Sequence, residues 1–449
     1  MTPARPSRGS RRTPSGAPRP GAGRAPRPPR PAAPVDLPLV ELEVGPVAHG
    51  GHCVARHEGR VVFVRHALPG ERVRVRLVQA GATDRFWRGD AVEVLEASPD
   101  RVAPAWPEAG PGGVGGGELS HVALPAQRAW KAAVVAEQLA RVARVGREVT
   151  VEAAPGDDAR GGLAWRTRID LVADDEGRAG MLGHRSHVVH ALRSMPLATA
   201  EVAELAREEG VFTRRWRPGA RLEVVAPADG APGLLLVDGV PGHKGAPDTR
   251  PNARRTVVET VRVAGRTYSF RVAADGFWQV HREAPGLLAA AVLDAVGDVA
   301  GGRVVDLFSG AGLFSAPLAD AVGPSGRVVT VEGDERAVRD ARRALHGAAN
   351  VELHAGDVAR VLGAGEHGAA GGADVVVLDP PRAGAGRGVV DAVVALGPRR
   401  VVHVACDPAS LARDVALLGE AGYVLGGLRA FDLFPMTHHV ECVAVLDRS

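Results

Sequence analysis

The sequence predicts an α/β protein in which a small β-barrel and a β-rich central domain precede a C-terminal doubly wound, Rossmann-like domain. Three observations carry this. From Gly276 onward, apolar runs of strand length alternate with helical stretches, the pattern of an open sheet covered on both faces. After Pro34 the short β-like runs are broken by Gly, Asp and Pro, as in a small closed sheet. Between these regions, "PAWPEAGPGGVGGG" at 104–117 reads as a flexible connector. The expected organisation is a disordered tail over 1–34, a barrel over 35–98, a central domain over 99–262 and the doubly wound domain over 263–449.

The tail holds eight arginines, ten prolines and no acidic residue. It cannot bury a core and is expected to be disordered. The chain carries a formal charge of +3, so without the eight tail arginines everything after Pro34 sums to −5. Basicity lives in the tail, either as an arm that contacts phosphates without sequence preference or as a solvated extension.

The barrel reading rests on "LVELEVGPV", "GHCVARHEGRVVFVRHALPGERVRVRLVQA" and "FWRGDAVEVLEASPDRV", about five strands. Arg56, Arg60, Arg65, Arg85, Phe86, Trp87 and Arg88 are positioned in sequence either to contact RNA or, for the aromatics, to fill a small core. Next comes "AQRAWKAAVVAEQLARVARV", whose apolar spacing predicts an amphipathic helix. Residues 150–262 are mixed and β-rich, with a helix near "TAEVAELAREEG" and no legible chemistry.

In the last domain the strands are expected at "RVVDLF", "RVVTVE", "VELHA", "ADVVVLD", "RRVVHVAC" and "ECVAVLD". Ligands of such sheets bind where the strands stop. The first strand ends in Asp306-Leu307-Phe308-Ser309-Gly310-Ala311-Gly312, a tight turn into a helix N-terminus. The second ends in Glu332, where a carboxylate can accept both hydroxyls of a ribose. The fourth ends in Asp379-Pro380-Pro381-Arg382, a stiffened exit loop. The strand-end pattern resembles that of methyltransferases. Among those acting on exocyclic amino groups the residue after the prolines is usually aromatic, and those acting on cytosine carbon 5 usually carry a cysteine in this loop. Arg382 argues against both.

The fifth strand ends in Cys406. Alone, a strand-end cysteine reads as a small buried hydrophobe. Its place in the ligand crevice, ahead of a helix that Pro408 begins, instead predicts a nucleophile whose thiolate the helix N-terminus favours. Cys53 and Cys442 lack that placement and read as structural. His438 and His439 do not form a metal site, because adjacent side chains diverge and no carboxylate cluster accompanies them. Glu441, at the start of the last strand, is within reach of the same crevice.

Taken in order, "GFWQVH", "DLFSGAG", "VEGD", "LDPPRAGAG", "ACDPASLARD" and "FPMTHHVE" resemble the RNA uracil-5-methyltransferases that act on transfer and ribosomal RNA. The barrel is similar to the TRAM-like domain that many members carry. The resemblance implies S-adenosylmethionine as cofactor, held by Gln279, Phe308, Glu332 and Asp379, with Cys406 as nucleophile and Glu441 as the base. It implies an RNA substrate, transfer RNA or ribosomal RNA, whose target base leaves the stack. Many relatives hold an iron–sulfur cluster with four cysteines, three of them just after the barrel. Here that stretch is "APAWPEAGPGGVGGGELSHV" and "RSMPLA" lies at 193–198, so no iron–sulfur cluster is expected.

No apolar run approaches the roughly 20 residues of a membrane span, and the N-terminus lacks the apolar segment of a signal peptide. Three cysteines cannot build a disulfide framework. A cytoplasmic enzyme without membrane partners, and a monomer, is the expectation.

Overall fold

A computed structural model describes residues 39–243, 246–363 and 372–449. The Arg/Pro-rich tail expected over 1–34 lies outside the described residues.

Five strands, β1 (Leu39–Ala48), β2 (His52–His57), β3 (Arg60–Arg65), β4 (Arg72–Gln79) and β5 (Trp87–Glu96), close into a barrel in the order β1-β2-β3-β5-β4. Strict alternation along β4 explains the closure: Val73, Val75 and Leu77 point inward while Arg72, Arg74 and Arg76 face out. Arg65 is committed to Asp90 through two bonds of 2.8 and 2.9 Å. The aromatics do not fill the core. Arg60 stands 4.9 Å over the Trp87 ring, Arg88 stands 4.5 Å over Phe86, and Phe63 meets Phe86 edge-on. They form a partly exposed outer face of cations and rings.

The helix α1 (Leu124–Gln138) follows, then the short strand β6 (Val151–Ala153). Next come β7 (Arg168–Ala173), β8 (Ala179–Leu182), β9 (Val189–Ala191), the helix α2 (Ala200–Glu208), β10 (Arg221–Val225), β11 (Leu234–Val237), β12 (Val240–His243) and β13 (Ala246–Pro247). These strands form an antiparallel sheet in the order β13-β12-β11-β10-β7-β8-β9. A separate hairpin joins β14 (Thr256–Val263) to β15 (Arg266–Ala273).

The remaining elements are α3 (Ala284–Val296), β16 (Arg303–Leu307), α4 (Ser315–Val322), β17 (Arg327–Glu332), α5 (Glu335–Ala344), β18 (Val351–Ala355), α6 (Val358–Gly363), β19 (Val375–Leu378), α7 (Gly386–Ala395), β20 (Arg400–Ala405), α8 (Pro408–Glu420), β21 (Tyr423–Asp432) and β22 (Glu441–Arg448). Their sheet runs β18-β17-β16-β19-β20-β22-β21-β6, parallel from β18 to β20, with β22 antiparallel to both neighbours. The order reverses between β16 and β19, and that switch point opens a crevice at the carboxyl ends of the strands.

Packing moves the boundaries read from sequence. A division between residues 262 and 263 would cut the hairpin, whose strands pair from Thr256↔Ala273 to Val263↔Arg266. Val257, Val261, Phe270 and Val272 share one core with Leu288, Val292 and Val304, so the hairpin is built onto the doubly wound domain. From the segment before it, β6 pairs with β21, and Val135 and Leu139 of the α1 region pack with Leu411 and Val415 of α8. Strand β6 has three residues and finds its partner almost three hundred positions later, so no local pattern marks it.

The stretch after the barrel and the 193–198 segment meet in one apolar core, where Trp106, Ala109 and Val114 join Met195 and Leu197. Apolar packing fills both segments.

Candidate active site

Three sequence-predicted residues stand around the switch point. The turn after β16 carries Phe308 with φ of 60°, a left-handed conformation that a bulky residue adopts only when its surroundings fix it. Ser309 N–H reaches Val331 O at 3.2 Å and Asp379 N–H reaches Leu307 O at 3.2 Å, so the three strand ends are tied together. Glu332 accepts Gly310 N–H at 2.8 Å and Asp334 N–H at 2.7 Å, one on each carboxylate oxygen.

Sequence reasoning gave no role to Asp306, which is completely buried in β16. One oxygen accepts the Ser315 hydroxyl at 2.5 Å and the other has no partner. Burial pushes its carboxyl up to about 7, against the Ser315 bond that favours the anion. Asp379 is pushed up as well, by burial first and then by the charges of Asp306 and Glu332. The three carboxyls concentrate negative charge at the strand ends, which favours a positively charged ligand there. A carboxylate in the middle of an otherwise apolar strand was the signal that would have found Asp306.

Gln279 is placed differently. It lines a cavity of about 230 Å³ with Thr167, Glu259, Trp278 and His281, and none of Phe308, Glu332 or Asp379 lines it. His281 is fully buried, takes the Glu283 N–H on Nδ1 at 3.1 Å and so donates from Nε2 to Asp157 at 3.0 Å. That pair fixes the turn that carries Gln279.

Cys406 and Glu441 are brought together by register. Strands β20 and β22 pair from Arg400↔Asp447 to Ala405↔Cys442, and one further step sets Cys406 opposite Glu441. Cys406 is half-buried, whereas Glu441 is 3 % exposed. The expected stabilisation of the thiolate is corrected here. Burial, then the charges of Glu441 and Asp379, push the Cys406 thiol up to about 12, with Arg382 opposing them. The helix behind Cys406 does not compensate, because its first turn is already capped by Asp407, which accepts Ser410 N–H at 2.8 Å. Glu441 is itself raised well above the usual carboxylate range by burial and then by Asp379. Cys53 and Cys442 are both fully buried, and burial raises their thiols too.

The supports of this pair were invisible in the sequence. Buried Lys131 of α1 donates to Asp432 and, at 3.0 Å, to Phe434 O, while Gln127 takes Met436 N–H at 2.8 Å. Glu118 binds both the ring and, at 3.1 Å, the N–H of His438. These groups fix the 432–440 turn that delivers Glu441. On the other side, Asp414 takes His403 at 3.0 Å and the N–H groups of Ala385 and Gly386 at 2.7 and 3.0 Å. The loop after Arg382 is thereby pinned. Gly384 is required there, since its φ is 86° and a Cβ would stand 2.8 Å from the Asp414 carboxylate. Among the described residues no group of three or more His, Cys, Asp or Glu is arranged to hold a metal ion, and no helix is long and apolar enough to cross a membrane.

Comparison with known proteins adds to this geometry. Residues 372–449 match the family model of tRNA (Uracil-5-)-methyltransferase, and residues 39–92 match that of the TRAM domain. Residues 278–373 match the model of protein-L-isoaspartate(D-aspartate) O-methyltransferase. An uncharacterized RNA methyltransferase of Bifidobacterium longum is 44% identical over 431 residues, covering 91% of this chain and 96% of its own. The 23S rRNA (uracil(1939)-C(5))-methyltransferase of Shewanella amazonensis is 31% identical over 440 residues, covering 91% and 95%. In fold, the chain is similar to the Pyrococcus abyssi tRNA (uracil-54, C5)-methyltransferase, solved with S-adenosyl-L-homocysteine, at a TM-score of 0.64 and 20% identity, covering 90% of this chain and 99% of that one.

Proposed function

The chain belongs to the RNA uracil-5-methyltransferase family, S-adenosylmethionine-dependent enzymes, and from that premise we propose that it methylates carbon 5 of a uridine in ribosomal or transfer RNA through a covalent adduct on Cys406, with Glu441 as the base. The observation that carries this reading is the pairing of Cys406 with Glu441 at the mouth of the crevice, next to Asp379.

The crevice suits its cofactor. Asp306, Glu332 and Asp379 supply a concentration of negative charge for a sulfonium and an ammonium, and the second oxygen of Asp306 lacks a partner. Glu332 would hold the ribose hydroxyls, Phe308 and Asp379 would flank the ligand, and Gln279 would reach it from the adjoining turn. When bound, S-adenosylmethionine supplies an electrophilic methyl group.

Carbon 5 of uracil is a weak nucleophile until a group adds at carbon 6. The Cys406 thiolate forms the bond to carbon 6, and the electron pair of the double bond moves onto carbon 5 and the adjoining carbonyl. Carbon 5 would then take the methyl group that the bound cofactor supplies, the cofactor keeping the electron pair of the broken bond as a neutral thioether. Glu441 removes the carbon-5 proton, the double bond re-forms, and Cys406 leaves as the thiolate. Arg382 beside Cys406 is the group that favours the thiolate.

Replacing uridine by 5-fluorouridine in the RNA tests this, because fluorine cannot be removed as a proton. A denaturation-resistant adduct at Cys406 is expected, and its absence overturns the covalent mechanism. Mapping 5-methyluridine in total RNA with and without the gene identifies the site.

A further inference from the structure

The turn between β1 and β2 reaches out of the barrel and touches the segments that carry both members of the proposed catalytic pair. His49 Nε2–H donates to Asp407 Oδ2 at 2.8 Å, across 358 residues of sequence. Asp407 follows Cys406 directly. Its other oxygen caps α8 by accepting Ser410 N–H at 2.8 Å, so one carboxylate joins the barrel to the helix that begins behind the thiol. Two residues on, Gly51 lies against the turn that leads to Glu441. A Cβ there would stand 3.2 Å from His438 Nδ1 and 3.3 Å from Glu118 Cγ, and φ at Gly51 is 75°. The contact is tight for any side chain, and the positive φ favours glycine.

We propose that the β1–β2 turn is a brace that sets the Cys406–Glu441 geometry, with His49 as a positioning residue through which the barrel fixes the Cys406 loop. It rests on the reading of Cys406 and Glu441 given above. The barrel is then part of the active-site framework as well as a domain beside it. The contact is partly exposed, with side-chain exposures of 38 % for His49 and 24 % for Asp407, so salt weakens it. Its charge depends on pH. The Asp407 hydrogen bond outweighs burial and holds the His49 imidazole above its ordinary value, with Arg413 opposing and Glu137 assisting. Against the cost of burial, His49 and Ser410 hold Asp407 down to about 2. The ion pair therefore loses its charge as pH rises through the raised His49 value, and again as pH falls through the depressed Asp407 value.

The test uses the full chain with His49→Ala and His49→Gln. His49→Ala is expected to lower kcat about tenfold while KM for RNA and Kd for S-adenosylmethionine stay within about twofold, the signature of a misplaced reacting group. His49→Gln, which can still donate to Asp407, should recover most of kcat and remove the pH dependence. Amide hydrogen exchange of residues 406–411 should quicken in His49→Ala and return in His49→Gln. That readout, with the rate of Cys406 alkylation by iodoacetamide, does not depend on Cys406 being the nucleophile. Unchanged exchange in His49→Ala overturns the brace even if catalysis falls. Quickened exchange with unchanged kcat overturns its catalytic role. A failure of the covalent mechanism leaves the exchange result standing.

Discussion

Cys406 faces Glu441 across the antiparallel pair β20–β22: burial and then Glu441 oppose ionisation of the thiol, while burial and then Asp379 raise Glu441. The Cys406 thiol is held protonated near neutrality. Alkylation of Cys406 by iodoacetamide should therefore have its midpoint above the roughly 8.5 of an ordinary thiol. The charge of Glu441 opposes the thiolate, so Glu441→Gln should shift the curve to lower pH. Cys53 and Cys442 are buried, and Cys406→Ala gives the background. A midpoint near roughly 8.5, or a curve that Glu441→Gln leaves in place, contradicts this electrostatic account.

Lys131, one of two lysines in the chain, pairs with Asp432 where both side chains are almost completely excluded from water. Removing one partner leaves an uncompensated buried charge. Lys131→Met should cost about 3–5 kcal/mol of stability, read from denaturant midpoints. The double variant Lys131→Met/Asp432→Leu should recover most of that loss, because the pair's own net contribution is small. If the double variant is as unstable as the single one, the cost lies in the shape of the site rather than in its charge.

The fold was legible because the strands of the doubly wound sheet are continuous apolar runs and those of the barrel alternate. Val73, Val75 and Leu77 against Arg72, Arg74 and Arg76 need no partner to be read. The hairpin Thr256–Ala273 has the same signal but nothing in it says which domain it joins, since Phe270 and Val272 share their core with residues of α3 and β16. Strand β21 escaped notice because Gly426 and Gly427 interrupt it with a bulge.

The site was legible only where motif residues stand at strand ends. His49, Glu118 and Lys131 act through partners far away in sequence, such as His49 with Asp407, so no local pattern marks them. The thiol of Cys406 was misread for the same reason. Its helix is local, but the carboxyls of Glu441 and Asp379 that oppose ionisation come from other strands.

The segment after the barrel predicts a chemical difference from the cluster-bearing relatives. Trp106 is 1 % exposed and packs with Met195 in one core. The purified protein should be colourless and free of stoichiometric iron, checked by absorption and elemental analysis. Trp106→Ala should cost about 3–5 kcal/mol, as for large buried aromatics. A visible iron–sulfur band contradicts the expectation.

Deleting residues 1–34 removes eight positive charges and no core-forming segment. Unfolding midpoint and S-adenosylmethionine affinity should be unchanged. If the tail contacts phosphates, RNA affinity falls and its dependence on salt flattens, because fewer counterions are released on binding. An unchanged salt slope favours a solvated extension.

The division of labour between Cys406 and Glu441 gives the most demanding prediction. Cys406→Ala should bind S-adenosylmethionine normally and transfer no methyl group, since carbon 5 is never activated. Glu441→Gln should permit addition and methyl transfer but stall at removal of the carbon-5 proton. Its methylated RNA should remain attached through Cys406 and migrate as a retarded band that survives denaturation. The two variants thus fail at opposite ends of one sequence of bonds, and only the second should accumulate an adduct with unmodified RNA. Glutamine keeps the volume of the buried side chain, so the expected failure is chemical rather than structural. Substantial turnover by Cys406→Ala overturns the nucleophile. Release of free methylated RNA by Glu441→Gln at the wild-type rate assigns the proton to another group, and Asp379, the other carboxyl raised beside Cys406, is then the one to replace.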